Sequence, residues 1–436
     1  MTAGGRGAAV AARLLEIAGP DLYRRNAFRI TGLPTDASNR AVREHRQRVL
    51  PKLAVGAPVE AGGTLPLPVP ATPDQIRSAF DELGDAQRRI VEELLWFWDT
   101  PNADCSCIRS LHQDHDAAVR AHTLALDREL DGRSSSQQEQ TACDELWEAA
   151  ARRWTALLRR AALWDHIRHR IRALDDRRLD ESAIDGLRDG LPRALVTPVV
   201  DLAARASDPA RLAAHAARWG VGQHVVDDLL TEAAAPLLEK VKAATTRAGR
   251  QLDAGHPLDA AADLRHTAIP ALARLEGLAP QERHRRTATA SQRVAVVFNN
   301  CATALIGQPG TATTAEIRSL LDAAHGLVVE VATRRTIETN RAGLDGARPA
   351  PPGQSRATGG AADTLGVPAT EEYQPLGSAG RRRLIGMVSM IGLGFLLIFP
   401  GLVFYLFGAV AGIVACVIWA FFQYLFIQAT IDVLRR

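Results

Sequence analysis

The chain has 436 residues and a mass of 47.0 kDa, more than one core usually organises, so two or three domains are expected. Charged residues at 23% and hydrophobic ones at 47% exclude a disordered or collagen-like polymer. A formal net charge of +3 is too balanced for a nucleic-acid-binding surface spread over the whole chain. Of the 52 basic residues only Lys52, Lys240 and Lys242 are lysines. That arginine bias, with heavy alanine usage, is what a GC-rich coding sequence produces, so neither is read as function. Five scattered cysteines do not make a disulfide framework, and the bulk reads as a reducing, cytosolic protein.

The first apolar stretch, Ala8 to Ile17, is broken by Arg13 and Glu16, so no signal peptide is expected. Residues 21–99 hold the most specific soluble pattern. Asn26-Ala27-Phe28-Arg29-Ile30-Thr31-Gly32 reads as a short helix stopped by glycine. A second helix follows from about Ser38, carrying Arg40, Arg43, His45, Arg46, Arg48 and Lys52, with Val42 and Val49 facing inward. After a Gly/Pro-rich loop (Val55 to Pro70), Thr72-Pro73-Asp74-Gln75 is a helix start: Thr72 caps, Pro73 suits the first turn and Gln75 closes a capping box. That helix bears Ile76, Ala79, Phe80 and Leu83, and Gly84-Asp85 breaks it. Ala86 to Trp98 makes a fourth, ending in Leu94-Leu95-Trp96-Phe97-Trp98.

This order resembles a J domain, the DnaJ-like helical module. The resemblance rests on Asn26 to Ser38, the basic second helix, and Ala79-Phe80-Asp81-Glu82-Leu83-Gly84-Asp85-Ala86-Gln87-Arg88-Arg89 after a loop. J domains stimulate DnaK-type ATPases through a His-Pro-Asp tripeptide after the second helix. Here that stretch reads Arg48-Val49-Leu50-Pro51-Lys52-Leu53, without the tripeptide. The resemblance therefore implies a J-like fold without ordinary ATPase stimulation. It also makes the basic face a place for a DnaK-type chaperone to dock, with contacts on Arg40, Arg43, Arg46 and Arg48. Phe97 and Trp98 are two further candidate contacts, unless they pack the J-like unit against the rest of the chain.

Cys105 and Cys107, followed by His112 and His115, are the ligand types of a tetrahedral zinc site. A single intervening residue between the thiols and the lack of a second pair argue against one, so no metal and no cofactor are assigned. Residues 104–341 read as helix after helix. One helix from about Thr141 to Leu174 would carry Trp147, Trp154 and Trp164 along one seam, with Ala150, Leu157, Ala161 and Ile171. Asp165-His166-Ile167-Arg168-His169 reads as its solvated basic face. Pro192, Pro209 and Pro257 sit where helices would start, and Gly220 and Gly255 where they would stop. Later helices are expected over roughly Gln223 to Leu252, Leu258 to Leu275, Gln281 to Leu305 and Thr314 to Asn340. Asn299, mid-helix, is expected to tie helices together by hydrogen bonds. The fold class is all-α: the J-like module, then an irregular helical bundle or α-solenoid.

Residues 342–380, rich in Pro, Gly, Ala, Ser and Thr, read as a flexible tether. From Leu384 to Ala429 no Asp, Glu, Lys, Arg or His occurs, a run of 46 residues. As one helix it would be roughly 69 Å long at ~1.5 Å per residue, against about 30 Å of hydrocarbon, so it is expected to cross twice. The turn falls either at Pro400-Gly401 or near Phe407 to Ala409. Arg381, Arg382 and Arg383 before the hairpin and Arg435 and Arg436 after it place both ends in the cytoplasm by the positive-inside bias. Gly408 and Gly412 form a close-packing G-x-x-x-G face, and no ionisable residue marks an ion path.

No nucleophile elbow and no Gly-Lys-Ser/Thr phosphate loop occurs. The sequence therefore predicts a non-enzyme: a J-like, membrane-anchored adaptor that brings a chaperone or client to the cytoplasmic face. The alternative is a membrane-tethered helical scaffold whose 200–341 region binds an unrelated protein. Its partners are proteins and the bilayer; no nucleic acid or small-molecule substrate is evident.

Overall fold

The computed structural model describes residues 3–57, 64–103, 105–132, 136–308 and 310–346. The described residues belong to one compact unit, and residues 347–436 lie outside them. The predicted membrane hairpin and its flanking Arg381, Arg382, Arg383, Arg435 and Arg436 therefore lie outside them too, as does the tether beyond residue 346. No helix of the described residues is long and apolar enough to cross a membrane.

The described residues are all-helical. The first helices are α1 (Ala3–Ile17), α2 (Ala27–Thr31), α3 (Asn39–Ala54), α4 (Pro73–Gly84) and α5 (Ala86–Leu94). Asn26 caps α2 by accepting from the Phe28 and Arg29 amides, and Gly32 ends it at φ 69°, a conformation that costs glycine least. Thr72 and Gln75 form the capping box of α4. α4 packs against α2, α3 and α5.

The middle helices are α6 (Arg109–Leu130), α7 (Gln137–Leu158), α8 (Ala161–Leu174), α9 (Glu181–Arg205) and α10 (Ala210–Ala217). The expected helix from Thr141 to Leu174 is two: the chain breaks at Arg159 and Arg160, where Arg160 turns extended and reaches Asp114 at 2.7 Å. Trp147 and Trp154 stay on α7, fully buried, while Trp164 belongs to α8. Pro192, expected at a helix start, lies inside α9 together with Pro198. An interior proline costs about 3 kcal/mol. α9 is buried along most of its length, from Ala183 to Ala203, and that burial outweighs the loss.

The remaining helices are α11 (Gln223–Asp253), α12 (Pro257–Asp263), α13 (Ile269–Leu278), α14 (Arg285–Ile306), α15 (Thr314–Leu327) and α16 (Val331–Gly346). A π-helical turn, Leu264–Ala268, joins α12 to α13. It ends two residues before Pro270, which lacks an N–H and would crowd the carbonyl four residues back, that of His266 within the turn, in a regular α-helix. α11 is a spine for α12, α13 and α14; α15 lies on α14, and α16 on α15. The expected helix from Thr314 to Asn340 is likewise two, parted at Val328 to Glu330, and α16 runs past Asn340 into the segment read as tether. Asn299 of α14 accepts from the Asn340 amide at 2.8 Å, a buried tie between α14 and α16.

The N-terminal helix is no free arm. α1 crosses α9 closely enough for the backbone of Gly7 to meet Gly186, and Val10 and Leu14 are fully buried. A Cβ on Gly186 would strike the Gly7 backbone, whereas one on Gly249 of α11 would meet nothing within 4 Å. Gly186→Ala should therefore cost about 1–3 kcal/mol, and Gly249→Ala should add ~0.5–1 kcal/mol. Urea unfolding of the two variants beside the parent checks both signs.

Candidate functional site

The densest chemistry lies where the chain leaves α5. Leu95 ends the helix, and Trp96, Phe97 and Trp98 continue non-helically, all buried. The fourth helix predicted through Trp98 thus stops four residues earlier. Phe97 and Trp98, offered as partner contacts, are 2% and 6% exposed and unavailable at the surface. Large aromatic faces at this junction are worth more as packing between helices than against water.

Asp116 of α6 fixes the turn that follows. Its carboxylate accepts from the Trp98 amide at 2.7 Å and the Asp99 amide at 3.0 Å. Asp99 is thereby held at φ 54°, in the left-handed region that a non-glycine residue rarely adopts. In that conformation its carbonyl accepts from His112 Nδ1 at 3.0 Å, leaving His112 Nε2 as the acceptor nitrogen. Asn102 takes the Cys105 amide at 3.0 Å, fixing the next bend.

Four donor atoms converge here. Cys105 Sγ lies 3.5 Å from His112 Nε2 and 3.7 Å from His166 Nδ1, and Cys107 Sγ lies 3.4 Å from His166 Nδ1. All four ligand atoms lie within 4.8 Å of one another. His115, the fourth candidate in the sequence, is elsewhere: its Nε2 lies 2.8 Å from the Leu94 carbonyl and its Nδ1 3.3 Å from Asp116. His166, read as part of a solvated face, takes its place and is only 4% exposed. A signal was present in the sequence, because His166 stands three residues after Leu163 and four before Arg170, on the arc of α8 that also carries Ile167, Ile171 and Leu174. What the sequence could not supply was the docking of α8 beside α5.

The Trp98 indole separates two histidines. It stacks on His115 at 3.6 Å between centroids and on His166 at 3.8 Å, and its N–H donates to the Glu93 carbonyl at 2.8 Å. Burial pushes His166 down to about 2, helped by His112, His115 and Arg170. Burial also lowers His112, and burial together with Cys105 raises the Cys107 thiol to about 12. His112 and His166 are thereby held neutral, and the Cys107 thiol keeps its proton unless a cation arrives. The cleft beside the cluster, bordered by Asp36, Asn102 and Arg170, holds about 20 Å³, room for one water.

Buried charges brace this region. Glu93, with a side chain 2% exposed, accepts from Arg89 at 2.8 Å and from Arg170 at 2.9 Å. Asp127 on α6 accepts from Arg24 at 2.8 Å and Arg29 at 2.7 Å. Glu92 stands apart: it receives the Ala27 amide at 2.9 Å but forms no ion pair among the described residues, and burial pushes its carboxyl up to about 8.

The predicted basic face fares differently. Arg40, Arg43 and Arg48 on α3 are exposed and Arg46 is half-buried. Arg40 pairs with Glu44 at 2.7 Å and Arg46 with Asp81 at 2.9 Å, exposed pairs of little energetic weight. Sequence reasoning missed a groove of about 590 Å³ between α11 and α14. Leu238, Val241 and Ala290 make its floor, and Lys242, Arg285, Arg286 and Arg293 stand round it against one carboxylate, Glu239. Lys242 lies 3.5 Å from Glu239; the three arginines are exposed and pair with no described carboxylate.

Comparison with protein-family models, with curated proteins and with solved structures returned no match.

The buried Glu92 carries a pH signature. Its folded-state value lies above its ordinary 4.5, so the folded chain holds a proton that the unfolded chain releases, and stability is lost as pH rises from about 4.5 toward about 8. Glu92→Gln keeps the acceptor for Ala27 without the ionisation. The variant should melt with the parent near pH 5 and several degrees above it near pH 8, read by thermal unfolding at both pH values.

Proposed function

We propose that this chain is a non-catalytic adaptor, held at the cytoplasmic face of a membrane by residues 384–430, whose helical region docks an acidic segment of a partner protein. The observation that carries the reading is the groove between α11 and α14. Its lining holds no histidine, cysteine or serine, and its single carboxylate already faces Lys242. That composition suits binding better than bond-making. An apolar floor bordered by unpaired guanidinium groups fits an amphipathic helix with glutamate or aspartate along one edge. Tethering both partners to one surface raises their effective concentration without any new contact.

A second reading keeps the chaperone as partner. It is favoured by the exposed Arg40, Arg43 and Arg48 on α3, on the helix that the J-like resemblance makes the docking face. The missing His-Pro-Asp tripeptide leaves this reading as recruitment without ATPase stimulation.

The two readings part by charge reversal in the full chain. A labelled amphipathic peptide with three glutamates beside a leucine face should bind the parent in detergent, and anionic vesicles serve as the competing ligand. Arg285→Glu with Arg286→Glu and Arg293→Glu should weaken the peptide at least tenfold, about 1.4 kcal/mol, while Arg43→Glu with Arg46→Glu leaves it unchanged. Binding of a DnaK-type chaperone that is lost only in the Arg43/Arg46 variant would favour the second reading. Peptide affinity indifferent to all five reversals would sink the first.

A further inference from the structure

We infer that Cys105, Cys107, His112 and His166 form a tetrahedral structural zinc site. Zinc holds thiolate at about 2.3 Å and imidazole at about 2.0–2.1 Å, which sets the sulfur-to-nitrogen edge of a regular tetrahedron at about 3.5 Å. Three of the four sulfur–nitrogen separations in the cluster are 3.4, 3.5 and 3.7 Å, and the fourth, Cys107 to His112, is within 4.8 Å. All four donor atoms lie within 4.8 Å of one another, close enough for one ion to draw them together. Two thiolates with two neutral imidazoles are also the donor set that selects zinc over magnesium, calcium or manganese.

The surroundings fit the same ligand. A ligating histidine is oriented by what its other nitrogen donates to, and His112 Nδ1–H donates a hydrogen bond to the Asp99 carbonyl, presenting Nε2 inward. His166 is held flat by the Trp98 stack, and Arg170, one turn later on α8, is anchored to Glu93. The left-handed conformation of Asp99 aims its carbonyl at His112 Nδ1. Charge also balances. Each thiol loses a proton to solvent as the ion binds, and two thiolates neutralise Zn²⁺, so the mostly buried site carries no net charge. With four protein ligands and a cleft of about 20 Å³, no position is open for a substrate. The ion is a staple: it joins the loop after α5 and the start of α6 to α8, across some sixty residues of intervening chain.

Metal analysis of the full chain, purified in detergent under reducing conditions and dialysed against zinc, tests this directly. One zinc per chain is expected. Cys107→Ser and His166→Gln should each lower occupancy at least tenfold at limiting zinc, while His115→Gln, which removes a histidine of the same cluster of rings, should retain one equivalent. Cobalt in place of zinc should give the intense visible bands of a tetrahedral thiolate–imidazole site, a readout on the parent chain that stands even if a variant does not fold. Less than a tenth of an equivalent of zinc, an octahedral cobalt spectrum, or equal loss in His115→Gln and His166→Gln would each overturn the assignment. None of these outcomes bears on peptide binding at α11 and α14, so the two proposals fail separately.

Discussion

Glu93 is the residue on which the rest of the molecule leans. Its carboxylate, taken out of water, receives Arg89 from its own helix and Arg170 from α8, and its backbone carbonyl receives the Trp98 indole. Arg89 reaches on to Asn39 and the Ala37 carbonyl, and Arg170 to the Thr35 carbonyl. One acidic side chain thereby sets the angle of α5 to α8, the path of the loop before α3 and the position of the tryptophan that stacks on His166. A buried ion pair of this kind adds little to stability over an apolar replacement, but losing one partner costs about 3–5 kcal/mol because the other charge is stranded. Its worth here is geometric, since the cysteine–histidine cluster exists only while α8 keeps this register.

The same logic joins the N-terminal helices to the rest. Asp127 of α6 accepts from Arg24 and Arg29, and Arg29 donates onward to the Leu65 and Pro66 carbonyls of the loop before α4. Tyr23 lies 3.0 Å from His122, deep in the interior. The first five helices and the helices after them therefore share buried polar ties as well as a continuous apolar core. A partner on α3 and one in the α11–α14 groove would be held by one body, and the cluster at Cys105 lies at the joint between its early and middle helices.

Local grammar was legible in the sequence, and long-range docking was not. Caps and punctuation were readable because they depend on neighbours along the chain: Asn26, Gly32, and the Thr72–Gln75 box stand where residue chemistry put them. The helical periodicity of Trp147 and Trp154 was also genuine, but α7 ends for a reason that no propensity scale holds, the extended turn at Arg160 and its ion pair to Asp114 on α6. Pro192 misled in the opposite sense, since burial of α9 outweighed a local breaker. The cluster shows the limit most clearly. Cys105, Cys107 and His112 were visible as donors, yet the nearest histidine in sequence, His115, is turned to the Leu94 carbonyl, and the residue that completes the set comes from another helix. The groove was invisible because its two walls, α11 and α14, are separated by α12 and α13.

The contact of Gly7 with Gly186 also sets an order of events during synthesis. α1 leaves the ribosome before α9, so although it also packs on α5, the larger part of its apolar contact, where Gly7 meets Gly186, waits until most of the middle helices have been made. Contacts between residues so far apart in sequence close slowly, because the intervening chain must give up its freedom first. Until then part of the apolar face of α1 stays exposed, a substrate for holding factors and a hazard for aggregation. α1 is thus among the later parts of its compact unit to be fully secured, because its closest contact is with α9.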